Sequence, residues 1–101
     1  MSNLTFTKQV EPLGIPGLAR QLAAGAASAN TALTGGVFRI SIRAVGADIR
    51  FSVGPSAQTA TATSHFIANG ERLDFAVPNG ANIAVLRNAT TDGTLEVTEL
   101  V

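Results

Sequence analysis

The chain has no cysteine, no tryptophan, no tyrosine, a single histidine and a single lysine. Without cysteine there are no disulfides and no thiolate metal ligands, so cohesion must come from packing. With His65 as the lone histidine, any site built from two imidazoles of one chain is excluded, the common zinc-hydrolase sets among them. The missing tryptophan and tyrosine remove the usual platforms for stacking on sugar rings. Charge is scarce and balanced: charged residues make up 14% of the chain, and seven basic residues cancel seven acidic ones. A phosphate-binding face normally needs a surplus of lysine and arginine, so nucleic acid is not an expected partner. Nor is a membrane, because no stretch approaches the ~18 uninterrupted apolar residues of a spanning helix. Met1 to Val10 carries Thr5, Thr7, Lys8 and Gln9 where a secretory signal has a continuous apolar block, so the chain is expected to stay in the cytoplasm where it is made. The acceptor patterns Asn3-Leu4-Thr5 and Asn88-Ala89-Thr90 are short enough to arise by chance.

What the chain does have is alternation. Phe38, Ile40 and Ile42 alternate with Arg39, Ser41 and Arg43; Ile49, Phe51 and Val53 alternate with Asp48, Arg50 and Ser52. Each run therefore has one oily face, as a half-buried strand requires. Candidate strands are 37–43, 47–53, 64–68, 72–77, 82–87 and 94–100, separated by breaks at 44–46, 69–70, 78–80 and 91–93. The Asn-Gly and Asp-Gly pairs in these breaks tolerate the positive φ of tight hairpins, so several sequence neighbours are expected to pair antiparallel. Six or seven short strands at this spacing predict an all-β fold, a small antiparallel β-sandwich of jelly-roll or immunoglobulin-like type. At 101 residues the chain makes one domain. Many of its apolar residues are alanines that bury little area, so its core is expected to be marginal and to gain from association.

Residues 1–17 differ from the rest. Pro12, Gly14, Pro16 and Gly17 interrupt any regular element, so this stretch reads as an extended N-terminal arm ahead of a β-domain at 18–101. Gly14-Ile15-Pro16-Gly17 reads as a turn. The arm's apolar residues, Leu4, Phe6, Val10, Leu13 and Ile15, are more than a solvated tail carries, and they fit docking on the chain's own domain or on a neighbouring subunit equally well. Residues 18–34 carry both helical and strand spacing; the β-rich context favours strand. The small, polar stretch 55–63 is too poor in apolar area for a core. It reads as an exposed loop or an edge crossing whose Thr and Ala residues would let another chain approach closely.

Nothing in the chain assembles into a reactive constellation. His65 lies in a strand and reads as a surface residue. Asp48, Glu71, Asp74, Asp92, Glu96 and Glu99 are dispersed over strands and turns, with no two placed to face each other across a cleft. Ser52, Ser56 and Ser64 have no nucleophile-elbow motif. No enzyme activity, metal or cofactor is expected. Arg39, Arg43 and Arg50 fall on the polar phases of two strands expected to be adjacent. Together with Arg72 and Arg87 they make a stripe, to be read either as a solvated face balanced by Asp48, Asp74 and Glu96 or as contacts to an acidic partner. Arginine's planar, bidentate guanidinium suits the second use.

Gly46-Ala47-Asp48-Ile49-Arg50-Phe51-Ser52-Val53-Gly54, Ala60-Thr61-Ala62-Thr63-Ser64, Gly70-Glu71, Ile83-Ala84-Val85-Leu86-Arg87 and Gly93-Thr94-Leu95-Glu96-Val97-Thr98-Glu99-Leu100 occur in an ordered set. That set resembles the small all-β structural proteins of tailed bacteriophages. The likeness runs from about Gly36 to Leu100 and does not cover the arm. It implies a virion component, foremost a capsid cement or decoration protein seated on the major capsid protein lattice, commonly as a trimer. It also implies that there are no catalytic residues to transfer. A neck, tail or fibre-base protein, and more remotely a carbohydrate- or receptor-binding module, are the competing expectations.

Overall fold

The computed structural model describes residues 14–101, whose regular elements are all strands. In chain order these are β1 (Pro16–Ala24), β2 (Ala29–Ala32), β3 (Arg39–Val45), β4 (Ile49–Gly54), β5 (His65–Ile67), β6 (Arg72–Ala76), β7 (Asn82–Arg87) and β8 (Gly93–Leu100). They form two four-stranded sheets, ordered β1-β8-β3-β6 and β2-β7-β4-β5, with every strand pairing antiparallel. First pairs with last, second with seventh, third with sixth and fourth with fifth. The path is that of one long hairpin doubled over on itself. Between the layers, Ile40, Ile42, Ala44, Leu95 and Val97 of the first sheet meet Ile49, Phe51, Ile67, Ile83 and Val85 of the second. Each such branched or aromatic side chain contributes roughly 1.5–3 kcal/mol on burial, so this layer holds the sandwich together.

The alternation located the strands within a residue or two, and β7 matches its expected bounds. The 18–34 region is strand, split into β1 and β2. Three expectations need correction. The first concerns the glycine turns. Gly70 and Gly80 do take positive φ, 87° and 71°, but the breaks that hold them join strands of opposite sheets. Among the described strands, only β4 and β5 are neighbours both in sequence and in a sheet. A positive-φ glycine serves a corner between layers as well as it serves a hairpin, so the turn chemistry was right and the pairing inferred from it was not.

The second concerns 14–17. These residues do not form a turn: Ile15 and Val101 exchange backbone hydrogen bonds of 2.8 Å, and Pro16 opens β1 opposite Leu100, with an irregularity in register before Ala19. Proline fits here because β1 is an edge strand and needs no outward donor at that residue. The third concerns Phe38, which is 56% exposed while its neighbour Val37 is buried. The chain bends before β3 begins at Arg39, so the alternation slips by one residue between Val37 and Ile40.

The 55–64 segment links β4 to β5 within the second sheet; it is the mostly exposed loop of the two expected alternatives, not a crossing between sheets, and it is fastened to the sheet by hydrogen bonds. The Gln58 N–H donates to Asn30 Oδ1 at 2.9 Å and the Ala60 N–H to Ser28 Oγ at 2.8 Å. Ser52 Oγ donates to Gln58 Oε1, and Arg50 Nη1 to the Ser64 carbonyl. Asn30, Ala84 and Ser52 align across the sheet. Their phase is opposite to that of the core residues Ile83 and Phe51, so the segment lies over the second sheet's outer surface. That explains why the outward Ala84 is fully buried.

Candidate functional site

Leu4, Phe6, Val10 and Leu13 lie outside the described residues. Ile15 is the first expected contact residue in view, and its side chain is exposed beside Val101. The three arginines do not form one stripe. Arg39 and Arg43 stand on β3 of the first sheet, whereas Arg50 stands on β4 of the second, because the corner at 46–48 carries the chain from one layer to the other. Arg50 is used internally. Its Nε donates to Asn88 Oδ1 at 2.9 Å, and its guanidinium lies 4.8 Å from the centre of the Phe66 ring.

Two rows of mostly polar side chains cross the outer surface of the first sheet. One runs Gln21, Glu96, Arg43, Arg72 and the other Ala19, Thr98, Ser41, Asp74. Gln21 donates to Glu96 at 3.1 Å, and Arg72 reaches diagonally to Ser41 Oγ at 2.8 Å. Arg43 and Arg72 stand directly opposite each other as a like-charge pair, with Glu96 directly opposite Arg43 on its other side. No chain segment comparable to 55–64 lies over this surface among the described residues. Over residues 14–101 the molecule therefore has one clad face and one bare, polar, arginine-bearing face.

Inside one end of the sandwich is an ion pair that the sequence pattern did not single out. Arg20 Nε lies 3.0 Å from Glu99 Oε2, with side-chain exposures of 23% and 2%. The same carboxylate oxygen accepts the Thr34 N–H at 2.9 Å, and Arg20 Nη2 donates to Thr34 Oγ1 at 3.2 Å. Burial alone would raise the Glu99 carboxyl pKa, but the bonds from Thr34 and Arg20, with the arginine charge, outweigh it and hold the group below its ordinary value. A signal was present in the sequence: Glu99 follows Leu95 and Val97 in the inward phase of β8.

Where the sheets part between β5 and β6, Phe51, Val53, His65, Phe75, Ala76 and Pro78 line an apolar groove of about 340 Å³. The Phe51 and Phe75 rings stack with centroids 5.9 Å apart, and His65 tilts against Phe51 at 5.5 Å. His65 is thus a ring in an apolar wall, with no carboxylate among the groove's lining residues. Beside it, a smaller depression of about 130 Å³ is lined by Arg39, Ile40, Asp74, Phe75, Ala76 and Leu100. At the opposite corner a polar hollow of about 260 Å³ contains Asp48, whose carboxylate is engaged by the Asn69 N–H at 2.8 Å. Among the described residues, no three His, Cys, Asp or Glu side chains gather to hold a metal ion, and no helix is long and apolar enough to cross a membrane.

Compared with known proteins, the chain matches no family model, no curated protein and no solved structure.

Proposed function

We propose that this chain is a structural protein of a bacteriophage virion, a cement or decoration protein that binds the major capsid protein lattice and stabilises the head as a homotrimer. The observation that carries the reading is the strand order. Among the described residues, eight strands pair first to last, second to seventh, third to sixth and fourth to fifth, in two four-stranded layers, and that connectivity supports a jelly-roll reading. Viral capsid proteins, lectins and cupins use jelly rolls. A cupin-type metal centre needs several histidines and this chain has one; a sugar site leans on tryptophan or tyrosine and this chain has neither. The capsid use remains, and the resemblance of residues 36–100 to phage structural proteins favours it independently.

In this reading the bare face of the first sheet meets the capsid, and the Arg43–Arg72 pair receives carboxylates of the lattice. Burying some 800 Å² per partner, the area of a standard interface, is within reach of such a face. The test is sedimentation of the purified chain with mature capsids of the phage that encodes it. Saturable binding at a fixed ratio to the major capsid protein is expected. No binding, or location only at a single vertex or along the tail, would overturn the assignment.

A further inference from the structure

We propose that two copies of this chain join edge to edge through β6, antiparallel about a two-fold axis at Leu73, so that Arg72 of each copy stands opposite the partner's Asp74. The inference does not rest on the virion reading; within that reading the contact would tie neighbouring trimers together across two-fold axes of the lattice. β6 closes one side of the first sheet, and among the described residues no strand lies against its outer edge. It pairs with β3 over five residues without a register break, and it holds no proline, glycine or lysine, residues that commonly keep an exposed edge from pairing.

The hydrogen-bond phase says which groups that edge offers. The Val77 N–H donates to the Phe38 carbonyl at 2.8 Å and the Ala44 N–H to the Glu71 carbonyl at 3.2 Å. Residues 71, 73, 75 and 77 therefore turn their backbone groups toward β3, while Arg72, Asp74 and Ala76 turn theirs outward. Three two-fold registers use those outward groups. One centred on Asp74 sets two Asp74 carboxylates against each other, and one centred on Phe75 sets Arg72 against Pro78, which has no N–H to give. Centred on Leu73, Arg72 and the partner's Asp74 exchange both backbone hydrogen bonds and face each other with opposite charge, twice over. Asp74 has no hydrogen bond or ion pair among the described residues. Arg72 gives Nη1 to Ser41 Oγ, which leaves the rest of its guanidinium to a carboxylate. On the inner side the two half-buried Leu73 side chains meet at the closer, non-hydrogen-bonded spacing, about 4.5 Å between Cα atoms.

The chain has no cysteine, so a single introduced thiol reports the register. In glutathione disulfide, Leu73→Cys is expected to form a covalent dimer about tenfold faster than Asp74→Cys, because the spacing at 73 lies within the span of a disulfide, about 4.4–6.8 Å. Thiols at 74 are offset by two residues, about 7 Å along the strand, in addition to the spacing between strands. Equal rates, or a faster Asp74→Cys, would overturn the register. Charge reversal tests the pairing on exposed residues alone. Arg72→Asp and Asp74→Arg are each expected to weaken self-association about tenfold, and an equimolar mixture of the two to restore it, since every charge then meets its opposite. Sedimentation velocity at rising concentration reads this, and it decides the matter if Leu73→Cys does not fold. A wild-type chain whose mass does not grow with concentration up to about 1 mM, or a mixture no more associated than its components, would overturn the proposal.

Discussion

Glu99 shows how much one residue can hold. Its carboxylate ties β8 to β1 through Arg20 and to the 33–38 connection through Thr34, at the end of the sandwich where the chain enters. Removing Arg20 leaves a nearly fully buried anion with only Thr34 to satisfy it. Arg20→Ala should therefore cost about 3 kcal/mol in chemical denaturation, more than an exposed ion pair would. The pH dependence follows from the same geometry. A carboxyl held below its unfolded value stabilises the fold fully above that value, about 4.5, and loses the contribution as pH falls through the lower folded value. Stability should thus decline in acid below about pH 4.5, and Glu99→Gln should flatten that decline. Parallel pH profiles for the two proteins would show that Glu99 is not the group responsible. In the sequence, Glu99 looked like one of several scattered acids. Its inward phase was visible, but its partner Arg20 lay in the stretch whose spacing fitted helix and strand alike.

At the scale of the element, alternation told most and connectivity least. Ile40 and Ile42 or Ile83 and Val85 announce an inner face, because a period of two is set by the pleat itself. Which strand lies beside which is set by packing between residues far apart in the chain, and a glycine corner carries no mark that distinguishes it from a hairpin. The 55–64 segment shows the same limit. Its composition correctly denied it a place in the core, but the hydrogen bonds that fasten it come from Ser28, Asn30, Arg50 and Ser52, polar residues on strands or their flanks. Ser28→Ala removes the acceptor of the part-buried Ala60 N–H. It should cost about 1 kcal/mol and speed amide exchange at Ala60 while leaving exchange at Ile83 and Val85 unchanged. Uniform acceleration across the sheets would mean that the segment is not a separate cover.

For the whole molecule, the two faces divide the arginines by purpose. Arg50 is built into the clad face, so Arg50→Ala should lower stability by about 2 kcal/mol through the lost hydrogen bonds and ring contact, while capsid binding persists. Arg43 stands on the bare face opposite Arg72, with one long bond of 3.4 Å to the Gly70 carbonyl. Arg43→Ala should leave the melting temperature unchanged or slightly raised and weaken capsid binding about tenfold, the effect of losing a charge-assisted contact. Equal effects of the two substitutions on binding would refute this division. The fold class was legible in the sequence because burial patterning is local, whereas the contrast between faces needed the third dimension.

The most direct measurement is an image reconstruction of the intact particle of the encoding phage. Density for this two-layered domain should repeat over the capsid lattice, with the β1-β8-β3-β6 sheet turned toward the major capsid protein. A particle that lacks the chain, or that carries it with this sheet facing solvent, would contradict the assignment.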